Sequence, residues 1–332
     1  MKYDIHKVNN LELPKVLKNY IVYMNTIQNK SENTIDGYRI DITMFLRYLK
    51  LFRYLVPLDT DFETINIKDI TDEFMTTITL PELHSFIKFT DEYKNNCSAT
   101  RARKVAVLKS FFKYMHDKIK LIKENPALEL ESPRQSKKLP VYLSLEESES
   151  LLNSVNGRNK ERDYCMITLF LNCGLRLSEL CNIKIQDIRD DILIVTGKGD
   201  KERSIYLNEV CMRSIERYLN KRKFVNSVNS IEYLFLSEQK NSINKRTVQR
   251  TVKKYIIESG LDPLKYSTHK LRHTAATLLY KYGNVDINKL QKILGHENIS
   301  TTMIYTHVDD EQLKIALSSN PLNKINVNSA IY

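Results

Sequence analysis

Through the first part of the chain apolar residues recur at helical rather than strand spacing, and four amphipathic helices follow from them. Leu17, Tyr20, Ile21 and Met24 predict a helix from Pro14 through Ile27. Ser31 or Asn33 caps a second, which carries Ile35, Tyr38, Ile42, Phe45, Leu46 and Tyr48. A polar, acid-containing loop is expected around residues 56 to 64, and Pro81 then suits the first turn of a third helix bearing Leu83, Phe86, Ile87 and Phe89. The fourth starts near Ser98 and turns Val105, Leu108, Phe111, Phe112 and Met115 inward. Arg101, Arg103, Lys104, Lys109 and Lys113 interleave with them, either as a solvated face or as a surface lining a nucleic-acid groove.

The pattern breaks at residues 132–140, where two prolines and three basic residues make an extended linker that includes Lys137 and Lys138. The chain therefore divides into a helical domain over 1–131, the linker 132–140, and a second domain over 141–332. Ser144 with Glu147 three residues on forms a capping-box signature that opens the second domain. An apolar helix ends at Gly174, and Arg176 falls in the first turn of the next helix, where backbone N–H groups favour an anion. The runs 192–195 and 204–207 read as strands of a hairpin with Lys198 near its tip. A helix opening at Thr268 has Leu271, Ala275, Leu278 and Leu279 as its core stripe. Asp286 caps a short helix stopped by Gly295, so His296 stands at a helix end, and Ser300 to Thr302 cap a further helix carrying Tyr305. Beyond it, Leu313, Ile315, Ala316 and Leu317 form a short apolar segment, followed by a polar tail over 324–332.

Charge narrows the partners. Lys and Arg total 51 against 40 acidic residues, a net charge of +11, which suits a polyanion such as DNA as well as it suits a merely soluble basic protein. The five cysteines form no C-x-x-C pair and are odd in number, so buried free thiols are expected rather than disulfides or zinc ligands. No apolar run approaches the roughly 18 residues of a membrane span, and the start of the chain lacks an apolar signal region, which makes the cytoplasm the expected compartment. The P-loop spacing is absent around Lys198, which argues against ATP chemistry.

Each polar candidate has a bland reading when taken singly. Arg176 with Glu179 is a surface ion pair, Lys198 an exposed turn lysine, and Tyr305 one of 19 tyrosines packing a core. His269 and Arg272 lie three apart on nearly one helix face, and a half-buried arginine bordering an apolar stripe calls for an anion. His273 points elsewhere and reads as structural.

Together the pieces Gly174-Leu175-Arg176 with Ser178-Glu179-Leu180, the glycine-flanked Lys198, His269 to His273, Leu294-Gly295-His296 and Tyr305-Thr306-His307 resemble, in order, the tyrosine recombinases of the phage-integrase family. Within that family the chain is most similar to the bacterial Xer group, although the stretch 51–96 looks longer than in compact members. The resemblance implies a mainly α fold: an N-terminal SAM-like helical bundle that binds the DNA core site, and a mostly helical catalytic domain with a small antiparallel sheet. It implies catalysis by Arg176, Lys198, His269, Arg272, His296 and the nucleophile Tyr305, through a 3′-phosphotyrosyl bond and a Holliday junction, with no cofactor or metal. Lys198 would be the general acid, and His269 would assist proton transfer at the tyrosine. The implied partners are double-stranded DNA with an inverted-repeat core site, a homo-tetramer or a hetero-tetramer with a paralogue, and a DNA translocase, on the nucleoid of a bacterial cytoplasm. Arg101, Arg103, Lys104, Lys109, Lys137 and Lys138 are the candidate DNA contacts. A type IB topoisomerase and a catalytically silent DNA-binding regulator are the alternatives.

Overall fold

The computed structural model describes residues 12–134, 140–197, 201–222, 233–237, 239, 241–283 and 285–308. The candidates Lys137, Lys138 and Lys198, and the apolar segment after Tyr305, lie outside the described residues. The chain separates into two compact units, residues 1–137 and 138–332.

The first unit is helical: α1 (Lys15–Thr26), α2 (Glu32–Phe52), α3 (Asp72–Thr76), α4 (Leu80–Glu92) and α5 (Ser98–Lys113), the last running into a π-turn over Tyr114–Lys118. Ser31 is the cap position of α2, and α4 starts from a Thr79–Glu82 capping box with Pro81 in its first turn. The apolar stripes meet in one aromatic core, where the Phe45 and Phe86 ring centroids lie 5.1 Å apart edge to face, and Tyr20 and Phe111 also lie 5.1 Å apart. The expected polar loop around residues 56–64 is a run of turns ending in a 3₁₀ turn (Phe62–Thr64), and the chain beyond it packs inward. Ile67, Ile70, Met75 and Ile78 pack into that same core, and Lys50 holds Asp69 at 2.7 Å.

Of the basic residues on α5, Lys104 is not on a groove-facing surface. It is 3% exposed and donates to Asp41 at 2.7 Å, because Asp41 is itself buried on α2 and needs a cation. Arg103 reaches the same carboxylate from an exposed position, and Arg101 pairs with Asp91. Exposed Lys109 donates to the Leu128 carbonyl at 3.3 Å.

In the second unit the helices are α6 (Leu145–Asn153), α7 (Lys160–Cys173), α8 (Leu177–Asn182), α9 (Glu209–Arg222), α10 (Lys245–Glu258), α11 (Thr268–Tyr282) and α12 (Ile287–Leu294). Ser144 and Glu147 close the capping box at α6. α7 is the central helix: Cys165 through Leu171 are all buried, and α9 and α11 pack against it. A three-stranded antiparallel sheet, β1 (Ile188–Arg189), β2 (Ile192–Thr196) and β3 (Glu202–Tyr206), lies beside it in the order β1-β2-β3. Leu193 pairs with Ile205 and Val195 with Arg203, so the apolar side chains face the core and Tyr206 faces solvent. Cys165, Cys173, Cys181 and Cys211 are buried free thiols and Cys97 is an exposed one.

Replacing Lys104 removes one of the two cations that Asp41 contacts. We expect Lys104→Ala to lower unfolding free energy by about 2–3 kcal/mol in urea titrations. Any change in DNA affinity should vanish once the folded fraction is matched; a DNA-binding defect at unchanged stability would contradict this placement.

Candidate active site

Five separate elements deliver the site. The first is the turn after α7. Gly174 ends that helix in the left-handed conformation (φ 58°), and a Cβ there would lie 2.8 Å from the Leu294 side chain. Two residues on, Arg176 is the N-cap of α8 with extended backbone, and not a first-turn residue as its spacing suggested. Its N–H donates to Glu179 Oε2 at 2.7 Å, and its Nη1 to Glu179 Oε1 at 2.7 Å, so one carboxylate fixes both the backbone and the guanidinium.

The second element is α11. Arg272 is 4% exposed and donates Nη1 to the Gly174 carbonyl at 2.5 Å and Nη2 to the Leu294 carbonyl at 2.7 Å. Those carbonyls end α7 and α12, which places the guanidinium at two helix C-termini, where the dipoles favour a cation. Burial and the neighbouring Arg176 lower its pKa to about 10, so it stays charged at neutral pH.

The third is the end of α12. Gly295 is left-handed (φ 63°), its carbonyl accepts from Arg176 Nη2 at 2.8 Å, and His296 follows with Nδ1 2.9 Å from Thr302 Oγ1. The fourth is the hairpin. Arg203 on β3 grips both oxygens of Glu179, at 2.5 and 3.0 Å, and Lys201 meets Glu297 at 3.0 Å. A cleft of about 510 Å³ opens between them, lined by Arg176, Gly197, Lys201, Arg203, His296 and Thr301.

Tyr305 sits on a 3₁₀ turn (Met303–Val308) rather than an α-helix, since its N–H bonds three residues back to the Thr302 carbonyl at 3.1 Å. It is 1% exposed and packs with Ala276, Leu290 and Leu294. Its hydroxyl is 2.8 Å from Nδ1 of His273, the histidine whose position looked structural. His269, one turn earlier on α11, meets the edge of the His273 ring at 4.6 Å between centroids. The signal for His273 was present in the sequence, because position 273 shares a helix face with 269, but only the fold brings Tyr305 to that face.

Glu179 is the sole carboxylate at the centre of the described guanidiniums, with Arg272 Nη1 at 3.9 Å as well. Burial alone would raise its carboxyl, yet Arg203 and the Arg176 N–H and guanidinium hold it below the usual range. Burial pushes the Tyr305 phenol up to about 12 against the pull of Arg272. Burial and nearby cations push His296 down to about 4, and burial with His269 does the same to His273.

Both rings are therefore neutral in the folded protein at pH 7. The unfolded chain binds protons on them near 6.5 and the folded one near 4, so stability falls as pH drops through that window. Thermal melts should show Tm decreasing between about pH 7 and pH 5, with a shallower slope in His296→Asn. A Tm independent of pH there would show that the rings protonate freely.

Residues 142–312 match the phage integrase family. Tyrosine recombinase XerC of Caldanaerobacter subterraneus subsp. tengcongensis is 49% identical over 314 residues, spanning 95% of this chain and 89% of that protein. Tyrosine recombinase XerD of Proteus mirabilis is 32% identical over 87% of each. Among solved structures, XerH site-specific recombinase bound to palindromic difH substrate shares the fold, with a TM-score of 0.68 at 24% identity over 88% of this chain and 81% of that one. With the family match covering the unit that holds the site, and relatives of this identity spanning nearly the whole chain, the protein belongs to the phage integrase family of tyrosine recombinases.

Proposed function

We propose that Tyr305 attacks a DNA phosphodiester held in the cleft by Arg176, Arg272 and His296, forming a 3′-phosphotyrosyl bond and releasing a 5′-hydroxyl. The enzyme is a site-specific DNA recombinase, and cutting and rejoining proceed through that covalent link. One observation supports the assignment of parts: Arg176, Arg203 and His296, from three elements far apart in sequence, line one cleft, with Arg176 locked by Glu179 and the Gly295 carbonyl and Arg272 buried nearby on the Gly174 and Leu294 carbonyls.

The geometry divides the labour. Rigid guanidinium donors stabilise the charge that develops on the non-bridging oxygens, with no reorganisation at the moment of reaction. Neutral His296, braced by Thr302, donates a further hydrogen bond there. A phenol held near 12 is a poor nucleophile, so its proton needs an acceptor as the bond to phosphorus forms. His273 Nδ1, 2.8 Å from the hydroxyl, is the proposed acceptor, and His269, packed against the edge of that ring, assists. Lys198, carried by the segment between β2 and β3, protonates the departing 5′-oxygen. Attack by a 5′-hydroxyl of the partner duplex reverses the step and exchanges strands.

The partners proposed with this chemistry are two copies of an inverted-repeat core site and four subunits, identical or shared with a paralogue, acting in the bacterial nucleoid. Of the candidate contacts in the first unit, the two that stand exposed, Arg103 and Lys109, are the proposed phosphate contacts.

Covalent trapping tests the reading. Cells expressing the wild type, denatured rapidly, should yield protein-linked DNA whose ends map to one short inverted repeat. Tyr305→Phe should yield none while binding the same duplex within about threefold of wild type, since the hydroxyl acts in the transition state and not in binding. An adduct persisting in Tyr305→Phe would remove Tyr305 as nucleophile, and scattered ends would indicate unspecific DNA relaxation.

A further inference from the structure

We propose that Arg203 is a positioning residue for strand cleavage, the joint that keeps the hairpin, the Arg176 turn and the His296 turn in one register; this rests on the reading of the cleft just given. Arg203 lies on β3, the strand that follows the segment carrying Lys198, and Val195 on β2 pairs opposite it. Each of its guanidinium nitrogens has a protein partner. Nη1 and Nη2 take the two Glu179 oxygens, at 2.5 and 3.0 Å, and Nε donates to the Ile293 carbonyl at 3.0 Å. Glu179 in turn holds Arg176, and Ile293 stands in the last turn of α12, three residues before His296. One planar group thus ties three catalytic elements together.

The Gly295 turn is shaped around it. A Cβ at position 295 would stand 2.8 Å from Arg203 Cδ and 3.2 Å from Nε. A glycine there meets two demands at once, the left-handed backbone (φ 63°) and the passage of the Arg203 stem beneath the turn. The carbonyl of the same glycine accepts from Arg176 at 2.8 Å, so displacing Arg203 moves the seat of a phosphate-binding guanidinium as well as the approach to His296.

Arg203 differs from Arg176 in what it offers DNA. Its side chain is 12% exposed against 33% for Arg176, and its donors point into the protein. Its task is geometric, and lysine cannot take it over, because an ammonium cannot bind a carboxylate side-on while a third nitrogen reaches a carbonyl. Removing it leaves Glu179 buried between Arg176 and, at 3.9 Å, Arg272, so the carboxylate draws Arg176 away from Gly295.

The test uses the full-length protein on a nicked duplex carrying the inverted repeat recovered by covalent trapping, under single-turnover conditions at saturating DNA. Arg203→Lys is expected to lose about 10²-fold in the rate of adduct formation, with DNA affinity within about threefold and an unchanged melting temperature. In Arg203→Gln the rate should also fall as pH is lowered through the weakly acidic range. There Glu179, facing only Arg176, Arg272 and the Arg176 N–H, has lost its strongest partner and takes up a proton. A role in folding alone would instead lower the melting temperature and leave the rate of the folded fraction intact. Arg203→Lys cleaving within about threefold of wild type overturns the proposal, as does a deficit in either variant that disappears on cooling to where it is fully folded. Should Arg203→Gln not fold, Arg203→Lys decides alone. Absence of adduct from the wild type would remove the reading of the cleft, whereas wild-type cleavage with an unimpaired Arg203→Lys removes this inference only.

Discussion

A single buried carboxylate organises the second unit of this protein. Glu179 sits 3% exposed at the start of α8 and receives Arg176, Arg203 and, at longer range, Arg272. Three guanidinium groups at such close quarters repel one another, and in a half-dry site that repulsion is weakly screened. The carboxylate offsets part of it without saturating it, which leaves a cleft with surplus positive charge. That surplus suits an anion, whose entry would relieve the repulsion.

The remaining donors of the site are used to fix geometry. Arg272 is held by the terminal carbonyls of α7 and α12, and Arg176 by the carbonyl of Gly295. Helix C-termini carry orphan carbonyls that need donors, so the same hydrogen bonds complete two helices and aim two guanidiniums of the candidate site. Two left-handed glycines make this possible. Gly174 lets Leu294 approach closely, and Gly295 lets the Arg203 stem pass under the turn that presents His296. Packing, helix capping and the candidate active site share one small region. The cost is a tyrosine, Tyr305, stored in an apolar pocket with its hydroxyl on a neutral imidazole.

Charge is handled differently in the first unit. Its buried pair, Lys104 with Asp41, is neutralised internally between two helices of the bundle, whereas Arg103 reaches the same carboxylate from the solvent side. The aromatic core of that unit also absorbs the segment between α2 and α4 through Ile67, Ile70, Met75 and Ile78. Much of the stretch 51–96 is therefore built onto the core. Isoleucines spaced by two and three residues among polar ones were the visible sign of this, too short a pattern to separate from a loop.

Local rules of spacing and capping were enough to read α1, α2, α4, the opening of α6 at Ser144, the β2–β3 hairpin and the stop of α12 at Gly295, because each depends on neighbours within a few residues. The order of the polar motifs likewise identified the family and singled out Arg176, Arg272, His296 and Tyr305 as candidates without a structure. Three things depended on the fold. Lys104 reads as one of a row of basic residues, yet Asp41, 63 positions earlier, draws it into the core. His273 reads as a structural histidine, yet the return of the chain 32 residues later sets Tyr305 on it. Arg203 reads as a strand residue, yet it closes a network with Glu179 and Ile293, 24 and 90 positions away. Sequence determines what each short segment prefers and which chemistry it carries. Which charge is paired, buried or presented is settled only when distant segments share one low-dielectric space, since the free energy of an ionised group depends on its partners across the fold.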